Sequence, residues 1–282
     1  MTVLQAVVLG IVQGLTEFLP ISSTAHLRIV PALVGWEDPG AAFTAVIQLG
    51  TLLAILTFFW KDVLRIALSL LRGLKSGKPF AELDARLGWM IVFGTVPIVV
   101  FGLVFKEAIS TGLRSLYVMA TSMILLALIL ALAEWALKRR IRNGIALKKL
   151  EGVTFKDAIL VGFAQAVALI PGSSRSGTTI TCGLFVGLDR ETAARFSFLL
   201  SLPSVLAAGI FELIEEREAL FSMDIGLSTV IIATVVSGIV GYLSIKLLLD
   251  FLKKYTTYLF IYYRLVLGII LLIMLYNGFP AN

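Results

Sequence analysis

The chain has 282 residues, 59% hydrophobic and 15% charged, with a formal net charge of +6. Soluble domains carry roughly 45–50% apolar and about 25% charged residues, so this composition excludes an ordinary soluble globule and implies one membrane domain over 1–282. The 24 Lys plus Arg against 18 Asp plus Glu could suit nucleic acid, but the basic residues fall in short loops between apolar segments. Membrane topology explains them there, and no nucleic-acid partner is expected. Cys182 is the only cysteine, so no intrachain disulfide can form. The first basic residue is Arg28, so a cleaved signal peptide is not expected.

A helix needs about 20 apolar residues, with a range of roughly 17–25, to cross the hydrocarbon. The first apolar segment, Val3–Thr16, is too short and runs into Glu17, Pro20, Ser22, Ser23 and His26. A short apolar helix that breaks at proline and turns polar predicts a re-entrant hairpin. Three spans follow, at about Phe43–Trp60, Gly88–Phe105 and Leu116–Ala133. The segment Ala158–Ile170 repeats the short pattern, running into Pro171, Gly172, Ser173, Ser174, Arg175 and Ser176. A short helix is predicted next, over Thr178–Leu188. Spans at about Phe196–Ile214, Ile225–Leu249 and Tyr258–Tyr276 complete the chain. The fold class is therefore an all-α polytopic membrane protein, with six transmembrane helices and two re-entrant hairpins. Pro97 and Pro203 lie inside spans and should kink them. Trp60, Trp89, Trp135 and Tyr276 sit near span ends, as an aromatic belt does. Arg190 and Arg195 read as cytoplasmic loop charges. Arg264 lies inside the last span with no partner visible in sequence.

Loop charge orients the spans. Loop 61–87 holds Lys61, Arg65, Arg72, Lys75, Lys78 and Arg86, and loop 134–157 holds Lys138, Arg139, Arg140, Arg142, Lys148, Lys149 and Lys156. The link at Lys253 and Lys254 is also basic. Loop 106–115 holds only Lys106 and Arg114, and loop 215–224 has Glu215, Glu216, Glu218 and Asp224 against Arg217. The positive-inside rule puts the first three in the cytoplasm and the last two outside. This closes only if both short segments leave and return on one side. Each half, about 1–135 and about 155–280, is then a hairpin plus three spans, inserted with opposite orientation. Gly10, Gln13, Pro20, Ser22 and Ser23 resemble Gly162, Gln165, Pro171, Ser173 and Ser174, with a one-residue gap. Such inverted repeats meet near the midplane and build their site there, so the two polar loops should face each other.

Gln13 and Glu17 are four apart and share a helix face. A carboxylate in an apolar segment is expensive and marks function by default, against the blander readings of an interfacial residue or a structural partner for Arg175. His26 is the only histidine; alone it is often just a satisfied polar residue. Its place after Glu17 and Ser23 makes it a candidate. In the second loop, Gly172 and Gly177 let backbone N–H groups approach an anion, and Ser174, Ser176 and Thr179 add hydrogen-bond donors. With a helix N-terminus aimed at the same place, this is a recipe for holding phosphate. Arg175 supplies a planar fork matched to phosphate oxygens. Helix–helix packing would explain the small residues but not Arg175. No Walker loop, HExxH or CxxC occurs, and one histidine excludes a two-histidine phosphatase mechanism.

At these loops the sequence resembles the bacterial undecaprenyl-diphosphatase family, the bacitracin-resistance type. The first motif reads Gln13-GLT-Glu17, then Pro20-Ile-Ser22-Ser23-Thr24-Ala25-His26. The second reads Pro171-Gly172-Ser173-Ser174-Arg175-Ser176-Gly177-Thr178-Thr179, and the likeness runs along nearly the whole chain. The resemblance implies an enzyme of the bacterial inner membrane that removes the terminal phosphate of undecaprenyl diphosphate, recycling the lipid carrier of cell-wall synthesis. It also implies a divalent cation and a site that opens outward. Gln13 stands where the Glu-xxx-Glu form has its first carboxylate, and a neutral amide is a weaker metal ligand.

The expected mechanism places the diphosphate on Arg175 and the loop N–H groups. Ser174, Ser176 and Thr179 add hydrogen bonds. Glu17, with Gln13, holds Mg²⁺ or Ca²⁺, since hard cations prefer oxygen. The attacking group is Ser23, with His26 or Glu17 as base, or water with either as base; Ser23 with His26 is the favoured pairing. Partners expected are the polyprenyl diphosphate and membrane lipid, with a homodimer one of the oligomeric states left open. A lipid-phosphate transporter built on the same cavity is the rival class, and a passive channel a weaker third.

Overall fold

In the computed structural model of this chain, residues 1–110, 113, 115–215 and 226–279 are described. Arg114, Glu216, Arg217, Glu218 and Asp224, used in the loop-charge argument, lie outside them. The described residues form α1 (Val3–Phe18), α2 (Ser23–Val34), α3 (Gly40–Phe58), α4 (Trp60–Lys75), α5 (Leu83–Val104), α6 (Lys106–Ser110) and α7 (Leu116–Arg142). They continue with α8 (Phe155–Val167), α9 (Arg175–Phe185), α10 (Arg190–Glu215), α11 (Leu227–Lys254) and α12 (Tyr258–Tyr276).

By length and composition α5, α7, α10, α11 and α12 can each cross a membrane. The pair α3 and α4 makes a sixth candidate, bent by 81° where the chain breaks between Phe58 and Trp60. All six expected spans therefore fall on apolar helices, and the protein is an all-α polytopic membrane protein. The segment read as loop 61–87 is largely the amphipathic helix α4.

The two short segments fold alike. Thr2 caps α1 and Thr154 caps α8, each closing a capping box, with Gln5 and Asp157 respectively. Each first helix then breaks, and a second begins after a serine N-cap. Ser22 caps α2 by accepting from the Ala25 amide, and Ser174 caps α9 by accepting from the Gly177 amide. These caps satisfy N–H groups that a helix start leaves orphaned. The cap at Ser174 starts α9 at Arg175, three residues before the expected Thr178, so the predicted Thr178–Leu188 helix is displaced. It also pairs Ser22 with Ser174 across the hairpins, in place of the gapped pairing of Ser23 with Ser174.

Each hairpin's first helix packs on a span from the other half: α1 on α11, and α8 on α5. Glycine makes both contacts close. A Cβ at Gly10 would stand 2.6 Å from the Ala233 carbonyl, and one at Gly162 would stand 2.3 Å from the Gly94 carbonyl. Small residues that let backbones touch are how helices associate in lipid.

Two charges read as loop residues are structural. Arg190 donates to Glu134, which is fully buried and also accepts from the Thr257 hydroxyl at 2.8 Å. Arg195 reaches Asp62 at 3.0 Å, tying α10 to the start of α4. Burial makes the Arg190–Glu134 pair a staple between α10 and α7, while the Arg195–Asp62 pair is a partly exposed link, and local sequence reveals neither.

Candidate active site at the hairpin tips

The break after α1 turns the chain so that Ser23, the first residue of α2, comes back beside Glu17. Ser23 donates to Glu17 Oε2 at 2.6 Å, and Gln13 Nε2 donates to the same oxygen at 2.9 Å. Arg175, the first residue of α9, donates to Glu17 Oε1. The tips of the two hairpins thus meet through one carboxylate, which holds a serine, an amide and a guanidinium. Ser176 adds a second link, its hydroxyl donating to the Leu19 carbonyl at 3.0 Å.

Both N-cap serines sit in the left-handed region, Ser22 at φ 76° and Ser174 at φ 69°. Non-glycine residues rarely hold that conformation, which costs of order 1–3 kcal/mol and collects at functional sites. Each aims the first turn of its helix at the same place.

Beneath the tips lies Arg264, fully buried. Its Nη1 donates to the Pro20 carbonyl at 3.4 Å; its Nη2 reaches the carbonyls of Gly172 at 3.2 Å, Ser173 at 3.1 Å and Ser122 at 3.5 Å. One guanidinium therefore ties both hairpin turns to α7. The partner missing from sequence is a set of backbone oxygens rather than an acid.

Several expected roles change. His26 does not bond Ser23. Its Nδ1 donates to the Ser22 carbonyl at 2.7 Å, since a carbonyl only accepts; its Nε2 then accepts from the Tyr263 hydroxyl at 2.6 Å. The carboxylate within reach of Ser23 is Glu17, so the structure pairs Ser23 with Glu17 rather than with His26. Gly177 makes room for Arg264: a Cβ there would stand 2.8 Å from its Nη1. Gly172, at φ 89°, crosses α7 so closely that a Cβ would stand 2.4 Å from the Met119 carbonyl. Thr179 bonds the Ser197 hydroxyl at 2.6 Å and the Arg175 carbonyl at 2.6 Å, bracing α9 from behind.

A cavity of about 460 Å³ opens over the tips. Glu17, Ser23, Ser174, Arg175 and Gly172 line its polar end; Ile98, Leu103, Val205, Ala208 and Phe211 line an apolar flank. Gln13, His26, Ser176, Gly177 and Thr179 are not on its wall and support those that are. Lys106, missed in sequence, lines the cavity too and pairs with Glu215 at 2.6 Å. A polar end beside an apolar flank suits an amphiphile with an anionic head.

Among the described residues no three His, Cys, Asp or Glu side chains cluster as a metal site. Glu17 is the one carboxylate among the lining residues. Beside it, Gln13 Oε1 is buried without a hydrogen-bond partner. A carboxylate plus an unused amide oxygen are hard donors. They fit a cation that takes its remaining ligands from phosphate and water, as Mg²⁺ does.

Among the relatives of this chain are two called undecaprenyl-diphosphatase. One, from Chloroherpeton thalassium, is 59% identical over 278 residues, 99% of this chain and 98% of that protein. The other, from Chlorobium limicola, is 57% identical over 283 residues, covering all of both chains. Residues 6–270 match the family described as bacitracin resistance protein BacA, and the chain belongs to that family.

Proposed function

We propose that this protein hydrolyses undecaprenyl diphosphate to undecaprenyl phosphate and inorganic phosphate, recycling the lipid carrier for cell-wall synthesis and conferring bacitracin resistance. The observation that carries the reading is the Ser23–Glu17–Arg175 constellation at the polar end of a cavity with an apolar flank. The head meets the polar end while the tail stays against the flank and the lipid.

The geometry supports an order of events. Arg175 donates to Glu17. A diphosphate offers more charge and a matched set of oxygens, so the guanidinium transfers to it. Glu17 Oε2 then takes the Ser23 proton across the existing 2.6 Å bond. Ser23 Oγ bonds to the terminal phosphorus, and the bridging P–O bond breaks towards undecaprenyl phosphate. Glu17 passes that proton to the departing undecaprenyl phosphate and then deprotonates a water that attacks the phosphoserine phosphorus; as the Ser23 Oγ–phosphorus bond breaks, Glu17 returns the proton to Ser23 Oγ and inorganic phosphate leaves. His26 positions this loop by holding the strained Ser22 carbonyl. Glu17 and Gln13 Oε1 would hold Mg²⁺ or Ca²⁺, which when bound offsets phosphate charge.

Ser23→Ala separates this route from direct attack by water. With serine as nucleophile, turnover falls to background while diphosphate binding survives, and rapid acid quench of the wild type traps phosphoserine. With water as nucleophile, losing one hydrogen bond to a charged group costs only about 1.5–3 kcal/mol. A folded Ser23→Ala protein keeping about a hundredth of normal turnover or more, a loss within about 3 kcal/mol, would move the attack to water. Arg175→Lys keeps the charge and loses the fork. Its kcat/KM should drop at least about tenfold, or about 1.4 kcal/mol in barrier; full activity would reduce Arg175 to a counter-charge.

We place the protein in the bacterial inner membrane, with the halves as an inverted repeat and the cavity opening outward. The matching serine caps and the reciprocal packing of α1 on α11 and α8 on α5 support the repeat. The basic segments after α3 and α7 support the orientation. Membrane-impermeant labelling of intact cells should miss cysteines placed at Ser76 and Asn143; labelling of either would invert the topology. The same reciprocal packing also suits a transporter, the second reading, which predicts movement of lipid phosphate without its cleavage.

A further inference from the structure

We infer that α4 is an interfacial helix that docks on the anionic headgroups of the leaflet it faces. It leaves α3 at 81°, so if α3 spans the bilayer, α4 runs near the membrane plane. Its residues sort onto three faces. Ile66, Ser69 and Gly73 are buried, and Ile66 and Leu70 pack over Gly88 of α5. Trp60, Leu64, Leu68, Leu71 and Leu74 recur at helical spacing and are each about half exposed. Lys61, Arg65 and Arg72 form a stripe beside the leucines, with Lys75 at the end.

Helix α4 carries five charged residues, Lys61, Asp62, Arg65, Arg72 and Lys75, too many to cross the hydrocarbon. An exposed leucine row beside a basic stripe is how a helix lies in the headgroup layer. The charge selects the occupant. Arg65 pairs with Asp62 and Asp84, and Arg72 with Glu82. Lys61 and Lys75 have no ion pair among the described residues, and Lys61 lies 5.6 Å over the Trp60 ring. Two unpaired cations at the ends of an apolar row match anionic phospholipid better than a second apolar surface. Nothing in this inference depends on the reaction at the cavity, since α4 contributes no residue to it.

The test uses Leu71→Cys in a Cys182→Ala background, labelled with a fluorophore, in vesicles mixing phosphatidylcholine and phosphatidylglycerol. Monodisperse elution before reconstitution checks the fold. Lipids brominated on the acyl chain should quench the label, and aqueous iodide should not. At equal mole fraction, brominated phosphatidylglycerol should quench at least twofold more than brominated phosphatidylcholine. Adding Lys61→Gln and Lys75→Gln should erase that preference and leave quenching by lipid in place. Quenching by iodide alone would put the face in water and overturn the inference. Equal quenching by the two lipids would remove the charge recognition. Shielding from both quenchers, with disulfide-linked dimers of the unlabelled cysteine variant, would assign the face to a second copy instead.

Discussion

Glu17→Ala should abolish phosphate release and also loosen the protein. Three side chains meet on this carboxylate: Ser23 and Gln13 on Oε2, and Arg175 on Oε1. Removing it takes away the proposed base for the Ser23 proton, a role worth typically 10²–10⁴-fold in rate. It also leaves Arg175, largely buried, without its counter-charge and cuts the main link between the hairpins. Losing one partner of a buried pair costs roughly 3–5 kcal/mol, and access of water to Arg175 should bring this towards the lower end. Glu17→Gln separates the effects. The amide retains an acceptor for Ser23 but cannot take its proton, so the protein should stay folded and still lose at least about 100-fold in kcat. The paired measurements are phosphate release at saturating substrate and thermal unfolding in detergent. A Glu17→Gln protein with wild-type kcat would exclude Glu17 as the base.

Arg264→Met should be nearly as damaging, although Arg264 does not line the cavity. Its guanidinium is fully buried and bonded to the carbonyls of Pro20, Ser122, Gly172 and Ser173. Methionine fills much of the volume and satisfies none of them. The cost of breaking such a network is on the order of 3–5 kcal/mol, and the strained caps at Ser22 and Ser174 lose the tie that holds their loops. At roughly 2–4 °C per kcal/mol for a chain of this size, unfolding should shift down by on the order of 10 °C. Activity should fall even below the melting transition, because Ser23 and Arg175 no longer start their helices in register. Arg264→Lys should recover only part of both losses, since an ammonium cannot reach both turns and α7 together. Unchanged stability and activity in Arg264→Met would refute this role.

How much of this was written in the sequence depends on the reach of each interaction. The spans were legible because a bilayer demands about 20 apolar residues in a row. The hairpins were legible because Val3–Thr16 and Ala158–Ile170 fall short of that and end in proline and polar residues. Glu17, Ser23 and Arg175 stood out as costly groups in apolar surroundings. What was hidden rests on distant contacts. Arg264 is far in sequence from the carbonyls it binds. Tyr263 claims His26 from the opposite end of the chain, which is why His26 looked free to serve Ser23. Arg190 looked like a loop charge until folding set it against the buried Glu134. Gly172 and Gly177 carried the signature of an anion loop, yet their missing side chains make room for α7 and Arg264. Helix α4 was read as loop because its charges mask the leucine row between them.

Cleavage of a lipid diphosphate in this cavity, as opposed to its transport, can be measured in one experiment. The most direct measurement follows undecaprenyl diphosphate, labelled in its terminal phosphate, in vesicles holding the purified protein and Mg²⁺. One inorganic phosphate should be released per lipid consumed, with undecaprenyl phosphate accumulating, and the Ser23→Ala protein should release none. Movement of intact diphosphate to the opposite leaflet, with no phosphate released by the wild type, would contradict it.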